Sequence, residues 1–104
     1  MNEDTLQTIE QWRSEGHRVA VSQVVRTYRS APRPVGSIFA VSDHGKMAGS
    51  VSGGCIEGAV SDVAKQTMAS GVPQLLDFGI ADERAWEVGL ACGGKLTVFV
   101  ERLA

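Results

Sequence analysis

The sequence lacks any long hydrophobic run, and this absence bounds where the protein can act. No stretch of apolar residues approaches the roughly 20 that a membrane-spanning helix requires. The opening residues, Met1-Asn2-Glu3-Asp4, are acidic where a secretory signal is basic and then apolar. We therefore expect a cytoplasmic protein that does not insert into a membrane.

Positive charge and cysteine are also scarce. The net charge at pH 7 is −2 and the arginines form no run, so the basic footprint that nucleic acid or an anionic membrane requires is missing. We expect neither as a partner. The two cysteines, Cys55 and Cys92, would normally be reduced in the cytoplasm, which favours free thiols over a structural disulfide.

What the sequence does contain is the composition of a globular domain. Its 104 residues are 43% hydrophobic and 21% charged, enough to bury one core but too few for two independent ones. We expect a single domain over residues 1–104. The elements described below predict an α+β fold, in which a mixed, largely antiparallel sheet contains a hairpin and carries two main helices.

The N-terminal part of the chain predicts a helix followed by a strand. Apolar residues at helical spacing predict an amphipathic helix over residues 5–15, with Asp4 or Thr5 as its N-cap and Gly16 as its stop. Residues 18–28 are rich in β-branched side chains and contain neither glycine nor proline. This pattern predicts a strand inside the sheet, covered on both faces.

A stiff loop and a hairpin come next. Ser30-Ala-Pro-Arg-Pro-Val-Gly36, which we call the proline loop, breaks the strand because each proline removes a backbone donor and restricts its predecessor. Residues 38–41 and 47–51 are apolar and flank Asp43-His44-Gly45, a pattern typical of a β-hairpin. The second hairpin strand would lead directly into Gly53-Gly54-Cys55.

A second helix begins at or just after Cys55. Gly71 and Pro73 follow it as stop signals. Its apolar stripe has the 3.6-residue period and comprises Ile56, Ala59, Val60, Val63, Ala64, Thr67 and Met68. Its polar face comprises Glu57, Ser61, Asp62, Lys65 and Gln66. Strands are predicted over residues 74–78 and 95–103, separated by a polar segment, 81–88, that fits either a helical turn or a loop.

The most informative motif is a mirrored pair of diglycines, each beside a cysteine. Glycines leave no side chain in the way of a ligand, and a helix start attracts anions and lowers the pKa of a thiol placed there. A cofactor or nucleophile site would therefore use Cys55 and Cys92. In the alternative interpretation, the diglycines are tight turns and the cysteines small buried apolar residues. The residues concerned are Gly53, Gly54, Cys55, Cys92, Gly93 and Gly94.

Other sites are weaker in the sequence. Cys55, Cys92, His17 and His44 lack the close spacing of a structural zinc site, so His44 is interpreted as a turn residue and His17 as a solvated helix-end residue. Both standard phosphate-loop patterns are absent, as is any Ser/His/Asp or Cys/His arrangement. Arg33 is a candidate cation for an anionic ligand and is otherwise a solubilising side chain.

A carboxylate at position 57 is compatible with two readings. Glu57 falls in the first turn of the second helix, where the helix dipole favours negative charge whether or not the group takes part in chemistry. A proton-transfer role would require a substrate close by. The sequence does not indicate where such a substrate would lie.

Three segments together resemble the XdhC/CoxI family of molybdoenzyme maturation factors, specifically their N-terminal domain. They are the proline loop, the segment Gly49-Ser-Val-Ser-Gly-Gly-Cys-Ile-Glu-Gly58, which we call the glycine–cysteine turn, and Ala91-Cys-Gly-Gly94, which we call the second cysteine turn. Their order and the strand after the last one also fit the family. The resemblance extends from about Val19 to Leu103.

This resemblance implies an accessory protein that carries molybdenum cofactor (molybdopterin) and is not an enzyme. Such a protein would protect the cofactor during sulfuration and deliver it to the apo-protein of a xanthine dehydrogenase-type or CO dehydrogenase-type molybdoenzyme. The implied cofactor-binding residues are Cys55, Cys92, Gly53, Gly54, Gly93, Gly94 and Arg33. Soft thiolates suit molybdenum or its sulfur, and a helix start suits the cofactor's phosphate.

Further partners follow from the same resemblance. Many members carry a second, Rossmann-like domain, whereas this sequence ends at Ala104. A separately encoded domain of that kind or a second copy in a homodimer would then complete the pocket, and a cysteine desulfurase would supply sulfur. Two alternatives remain: a thiol redox or sulfur-transfer protein using Cys55 and Cys92, and an interaction domain that docks a molybdoenzyme without holding cofactor.

Overall fold

The computed structural model describes residues 2–28, 33–53, 56–78 and 95–103. The elements, in chain order, are α1 Asn2–Ser14, β1 Val19–Tyr28, β2 Ile38–Ser42, β3 Met47–Gly49, α2 Glu57–Ser70, β4 Gln74–Phe78 and β5 Lys95–Arg102. The expectations for the polar segment and for both cysteines fall outside the described residues. No helix in the described ranges is long and apolar enough to cross a bilayer.

All five strands form one sheet in the order β3-β2-β1-β5-β4. Every pairing between them is antiparallel, and β1 lies at the centre as predicted. The longest pairing joins β1 to β5, which is distant in sequence, and a register shift between Val24 and Arg26 interrupts it. The predicted α+β class with an antiparallel sheet is confirmed.

The two helices pack on opposite faces of the sheet, because alternate strand residues point to opposite sides. Residues with even numbers at the start of β1, such as Ala20 and Val24, join the larger core with α2. Val19 joins a smaller core with α1, in which Trp12 is 5% exposed. Helix α1 contacts β1, β2 and β3, so it covers the sheet at the hairpin side.

Helix α2 follows the predicted stripe closely. Five stripe residues are buried, and Ala59 and Val63 pack partly against the same core. Gly71 adopts the left-handed conformation with φ of 74° and donates its N–H to the Thr67 carbonyl at 2.8 Å. One residue differs from the prediction. Ser61, expected on the polar face, is 4% exposed, because the buried face of α2 is wider than its stripe of apolar residues.

Helix α1 begins earlier than predicted. It is helical from Asn2, so Asp4 and Thr5 are not its N-cap, and Thr5 is buried. The Asn2 Nδ2 donates to the Gly36 carbonyl at 2.7 Å, which ties the first turn of the helix to the end of the proline loop. The tertiary contact thus extends the helix beyond its apolar pattern.

The hairpin forms as predicted around Asp43-His44-Gly45, but β3 is short. It ends at Gly49, whose φ of 81° is closed to most side chains. The two-sided cover expected for β1 holds only over residues 19–22, since Gln23 is exposed and Val25 is 42% exposed. Beyond Gln23, β1 has passed the end of β2 and pairs with β5 alone.

Candidate functional site

The glycine–cysteine turn is held by the carboxylate of Glu57. One oxygen, Oε2, accepts hydrogen bonds from the Ser50 hydroxyl at 2.8 Å, the Val51 N–H at 2.9 Å and the Ser52 N–H at 3.0 Å. The other, Oε1, accepts a bond from the Ser52 hydroxyl. A single side chain at the first position of α2 therefore fixes three consecutive residues of the preceding turn.

The two serines extend this network into the turn. The Ser50 hydroxyl accepts the Gly53 N–H at 2.7 Å, and the Ser52 hydroxyl accepts the Ile56 N–H at 2.9 Å. The second bond satisfies the Ile56 N–H at the start of α2. Ile56 is the N-cap residue, and its own side chain makes no capping hydrogen bond. Gly53 has φ of 70° and is exposed. The backbone on both sides of the diglycine is thereby set by serine and glutamate.

Glu57 is ionised at neutral pH. Partial burial opposes ionisation, but the hydrogen bonds from Ser52, Ser50 and the Ser52 and Val51 backbone outweigh it and lower the pKa of Glu57 to about 2. Because both of its oxygens accept bonds from the turn, the carboxylate acts as a structural anchor. The sequence placed this carboxylate in the first turn of the helix, but it did not indicate that the side chain bonds the preceding turn.

Arg33 lies beside the same turn. It lines a surface cavity of about 410 Å³ together with Asn2, Ser37 and Ser50, and the N-terminal turn of α1 forms another wall. The cavity falls within the range of small-molecule sites. A guanidinium and a serine hydroxyl on its walls are groups that bind phosphate or carboxylate.

The strand register relates the proline loop to the second cysteine turn. The last residue of β1, Tyr28, pairs with the first residue of β5, Lys95. The chain continues from Tyr28 into the proline loop, and it reaches Lys95 directly from the second cysteine turn. Both segments are therefore attached at the same end of the sheet, on neighbouring strands.

The glycine–cysteine turn leaves the sheet towards that end as well. β2 begins with Ile38, opposite Gln23 of β1, and Gly49 at the end of β3 pairs with Phe39. The turn thus leaves the sheet close to the level at which the pairing of β1 with β2 ends. From β3 to β5 is three strand spacings, roughly 15 Å. All three motif segments therefore leave the sheet in the same direction, the glycine–cysteine turn at the level of Ser22 and the other two at Tyr28, further along β1.

The predicted site residues are described only in part. Gly53 and Arg33 lie in described segments, and Ser50 connects them by bonding the Gly53 N–H while lining the cavity of Arg33. The other five predicted residues lie outside the described residues: Gly54, Cys55, Cys92, Gly93 and Gly94. The proximity of the two thiols stays a prediction.

The two histidines are placed differently from the sequence interpretation. His44 is in the β2–β3 turn as expected, but its ring stacks on that of His17 with centroids 3.8 Å apart. The side chain of His17 is only 11% exposed, so it is not a solvated helix-end residue. This contact joins the α1–β1 connection to the hairpin turn, and residue spacing gave no indication of it.

Known proteins are similar to this chain in sequence. A sequence model of the XdhC and CoxI family matches residues 12–79. The molybdenum cofactor insertion chaperone PaoD of Escherichia coli (strain K12) is 32% identical over 89 residues, covering 85% of this chain and 27% of PaoD. The uncharacterized protein YqeB of the same organism is 31% identical over 81 residues, covering 78% of this chain and 15% of YqeB. The chain thus spans less than a third of each relative.

A solved structure shares the fold. The crystal structure of a xanthine dehydrogenase from Bacillus halodurans matches with a TM-score of 0.78 over 94% of this chain and 30% of that chain, at 20% sequence identity. The family match covers most of the chain, and it includes the proline loop and the glycine–cysteine turn. The chain belongs to the XdhC and CoxI family.

Proposed function

We propose that this protein binds molybdenum cofactor and assists its insertion into a xanthine dehydrogenase-type or CO dehydrogenase-type molybdoenzyme, acting as a carrier and not as an enzyme. The observation that carries the proposal is that all three motif segments leave the sheet in the same direction. Family membership and the name of the relative PaoD support it.

The residues of the cavity fit the anionic part of this cofactor. Arg33 supplies a positive charge, and Ser50 on the same wall orients the turn, since its hydroxyl donates its hydrogen to Glu57. The neighbouring α2 N-terminus adds partial positive charge, which the ionised Glu57 offsets while it holds the turn in place. We assign the cofactor's phosphate to the Arg33 side of this site.

The cysteines and glycines would hold the other end of the cofactor. Glycine positions Gly53, Gly54, Gly93 and Gly94 allow a flat pterin to approach the backbone. Cys55 and Cys92 would place soft sulfur ligands towards molybdenum, the metal that the cofactor supplies when bound. The chain would hold the cofactor in this way while it is sulfurated.

Partners follow from a carrier role. The proposed recipient is the apo-protein of the molybdoenzyme, and a cysteine desulfurase would supply the sulfur. A Rossmann-like domain from elsewhere or a second copy of this chain would close the open side of the cavity. Residues 1–104 would form the single domain that all of them meet.

Retention of a pterin tests the proposal. Wild-type protein produced in cells that make molybdenum cofactor should yield fluorescent pterin after oxidation, in excess of the Cys55→Ala, Cys92→Ala double variant. A redox or docking protein would show no such difference. Equal pterin in wild type and double variant, with both folded by circular dichroism, would refute the two cysteines as binding residues.

A further inference from the structure

A cluster of two histidines and one aspartate lies at the hairpin turn. His17 belongs to the α1–β1 connection, and Asp43 and His44 belong to the β2–β3 turn. One potential ligand atom from each of the three lies within 4.8 Å of the others. None of these residues takes part in the proposed cofactor site.

Backbone hydrogen bonds fix the two loops against each other. The Asp43 N–H donates to the Arg18 carbonyl at 2.9 Å, and the Arg18 N–H donates to Asp43 Oδ1 at 3.1 Å. The His17 N–H is bonded to the Trp12 carbonyl at 2.9 Å. The positions of the three side chains are therefore set by the ends of α1, β1 and β2 together.

One nitrogen of the cluster is left without a partner. His17 Nδ1 is buried and has no hydrogen-bond partner among the described residues. The side chain as a whole is nearly nine-tenths buried. A buried polar nitrogen in this state is unfavourable. A metal ion would satisfy it, because a neutral imidazole nitrogen is the commonest metal ligand in proteins.

The charge and reach of the other two residues suit the same ligand. Asp43 contributes a carboxylate, whose Oδ1 accepts the Arg18 N–H at 3.1 Å. His44 Nδ1 already lies 3.0 Å from Asp43 Oδ1. Its side chain is 59% exposed, so most of it faces solvent.

The geometry requires only a small adjustment. Ligands of a tetrahedral zinc ion at about 2.1 Å lie roughly 3.4 Å from one another, which is about 1.4 Å closer than the 4.8 Å limit of the cluster. The rings, now stacked at 3.8 Å with planes 30° apart, must turn so that a nitrogen of each points to one centre. His44, the more exposed of the two rings, has solvent space in which to turn.

We propose that His17, Asp43 and His44 bind a divalent transition-metal ion of the zinc class, with water in the remaining coordination position. Two imidazoles and a carboxylate are the donor set of open zinc sites. The site lies at the opposite end of β2 from the Arg33 cavity, across five residues or roughly 15 Å. It is therefore independent of the proposed cofactor site.

Calorimetric titration with zinc chloride tests the proposal on tag-free protein whose thiols have been alkylated with iodoacetamide, so that the cysteines do not compete. We expect one ion per chain with micromolar affinity. His17→Gln and His44→Gln should each weaken zinc binding by roughly tenfold or more, because even mutation of residues that only support the ligands has an effect of this size in known metal sites. Lys46→Gln, a neighbouring turn residue that offers no ligand, should leave the affinity unchanged.

The histidine ring signals in a nuclear magnetic resonance spectrum give a second readout. Zinc should shift the resonances of both rings at one equivalent, and in His44→Gln more zinc should be needed to shift the His17 signals. This variant alters an exposed turn side chain, so it keeps the test available if His17→Gln fails to fold. Binding only at millimolar zinc, or affinity that both histidine variants retain, would overturn the proposal.

Discussion

At the residue scale, Glu57 determines the shape of the glycine–cysteine turn. Its position in the first helical turn was visible in the sequence, and that position alone was compatible with a dipole effect or with proton transfer. The structure shows the carboxylate bonded to three successive residues, Ser50, Val51 and Ser52. These bonds form because the turn folds back over the start of the helix. The residue types alone do not predict this conformation.

The low pKa of Glu57 makes a stability prediction with a definite sign. The folded-state pKa of about 2 lies below the ordinary value of 4.5, so the stabilisation is present above pH 4.5 and is lost as the pH falls towards 2. Because the group is only partly buried, solvent screening reduces its contribution to roughly 1–2 kcal/mol. Glu57→Gln should therefore lower the free energy of unfolding by that amount at pH 7, measured by urea denaturation.

The pH dependence separates this effect from simple loss of packing. The difference between wild type and Glu57→Gln should shrink steadily from pH 5 to pH 2.5. Asp62→Asn, an exposed carboxylate on the same helix, provides the control and should change stability little at either pH. A wild-type advantage that stays constant down to pH 2.5 would contradict the role assigned to the charged form.

At the element scale, α2 is the part of the fold that the sequence predicts best. Its apolar stripe, its glycine stop and the following Pro73 were all readable, because a helix on a sheet needs one covered face and a conformation that ends it. The boundaries of α1 and β3 were less predictable. Asn2 is held by Gly36 across 34 residues of sequence, and no local pattern reports a contact of that kind.

Substitutions at two glycines test how α2 ends, one at Gly71, which follows the helix, and one at Gly58 within it. An alanine at position 71 would have to adopt the left-handed conformation, and its Cβ would lie 2.6 Å from the Arg102 guanidinium. Gly71→Ala should therefore lower the free energy of unfolding by about 1–2 kcal/mol. That guanidinium also donates to the Met68 carbonyl at 3.0 Å. Thermal or urea unfolding measures the change.

Gly58, within the same helix, is the control. It has helical geometry and open space around it, so Gly58→Ala should stabilise by about 0.5 kcal/mol through the unfolded chain. Opposite signs for the two substitutions are the expected result. Equal effects would mean that the left-handed conformation at Gly71 contributes nothing specific to the helix end.

At the scale of the whole molecule, the sheet brings together what the chain separates. The β1–β5 pairing joins the end of the first strand in the sequence to the start of the last strand, so positions more than 60 residues apart, Tyr28 and Lys95, lie side by side. The resulting end of the sheet carries the proposed cofactor site, and the hairpin turn at the other end carries the proposed metal site. The two proposals can therefore be tested separately.

Arg33 tests the whole-molecule proposal from the cavity side. If it binds the cofactor's phosphate, Arg33→Gln should reduce pterin retention about tenfold, the effect of losing one charge-assisted hydrogen bond. Lys65→Gln, an exposed charge on α2, should retain pterin as wild type does. Unchanged retention in Arg33→Gln, measured by pterin fluorescence after oxidation, would remove Arg33 from the site.

The sequence by itself determined the helix and strand types, the position of α2 and the family, because periodicity and short glycine motifs are local properties. Only the tertiary structure decided which face each helix covers, how Glu57 shapes the glycine–cysteine turn, and that His17 meets His44. These depend on strand register and on contacts between distant segments. The antiparallel pairing of β1 with β5, set by burial of both strands in one core, is the reason that the proline loop and the second cysteine turn are attached to neighbouring strand ends.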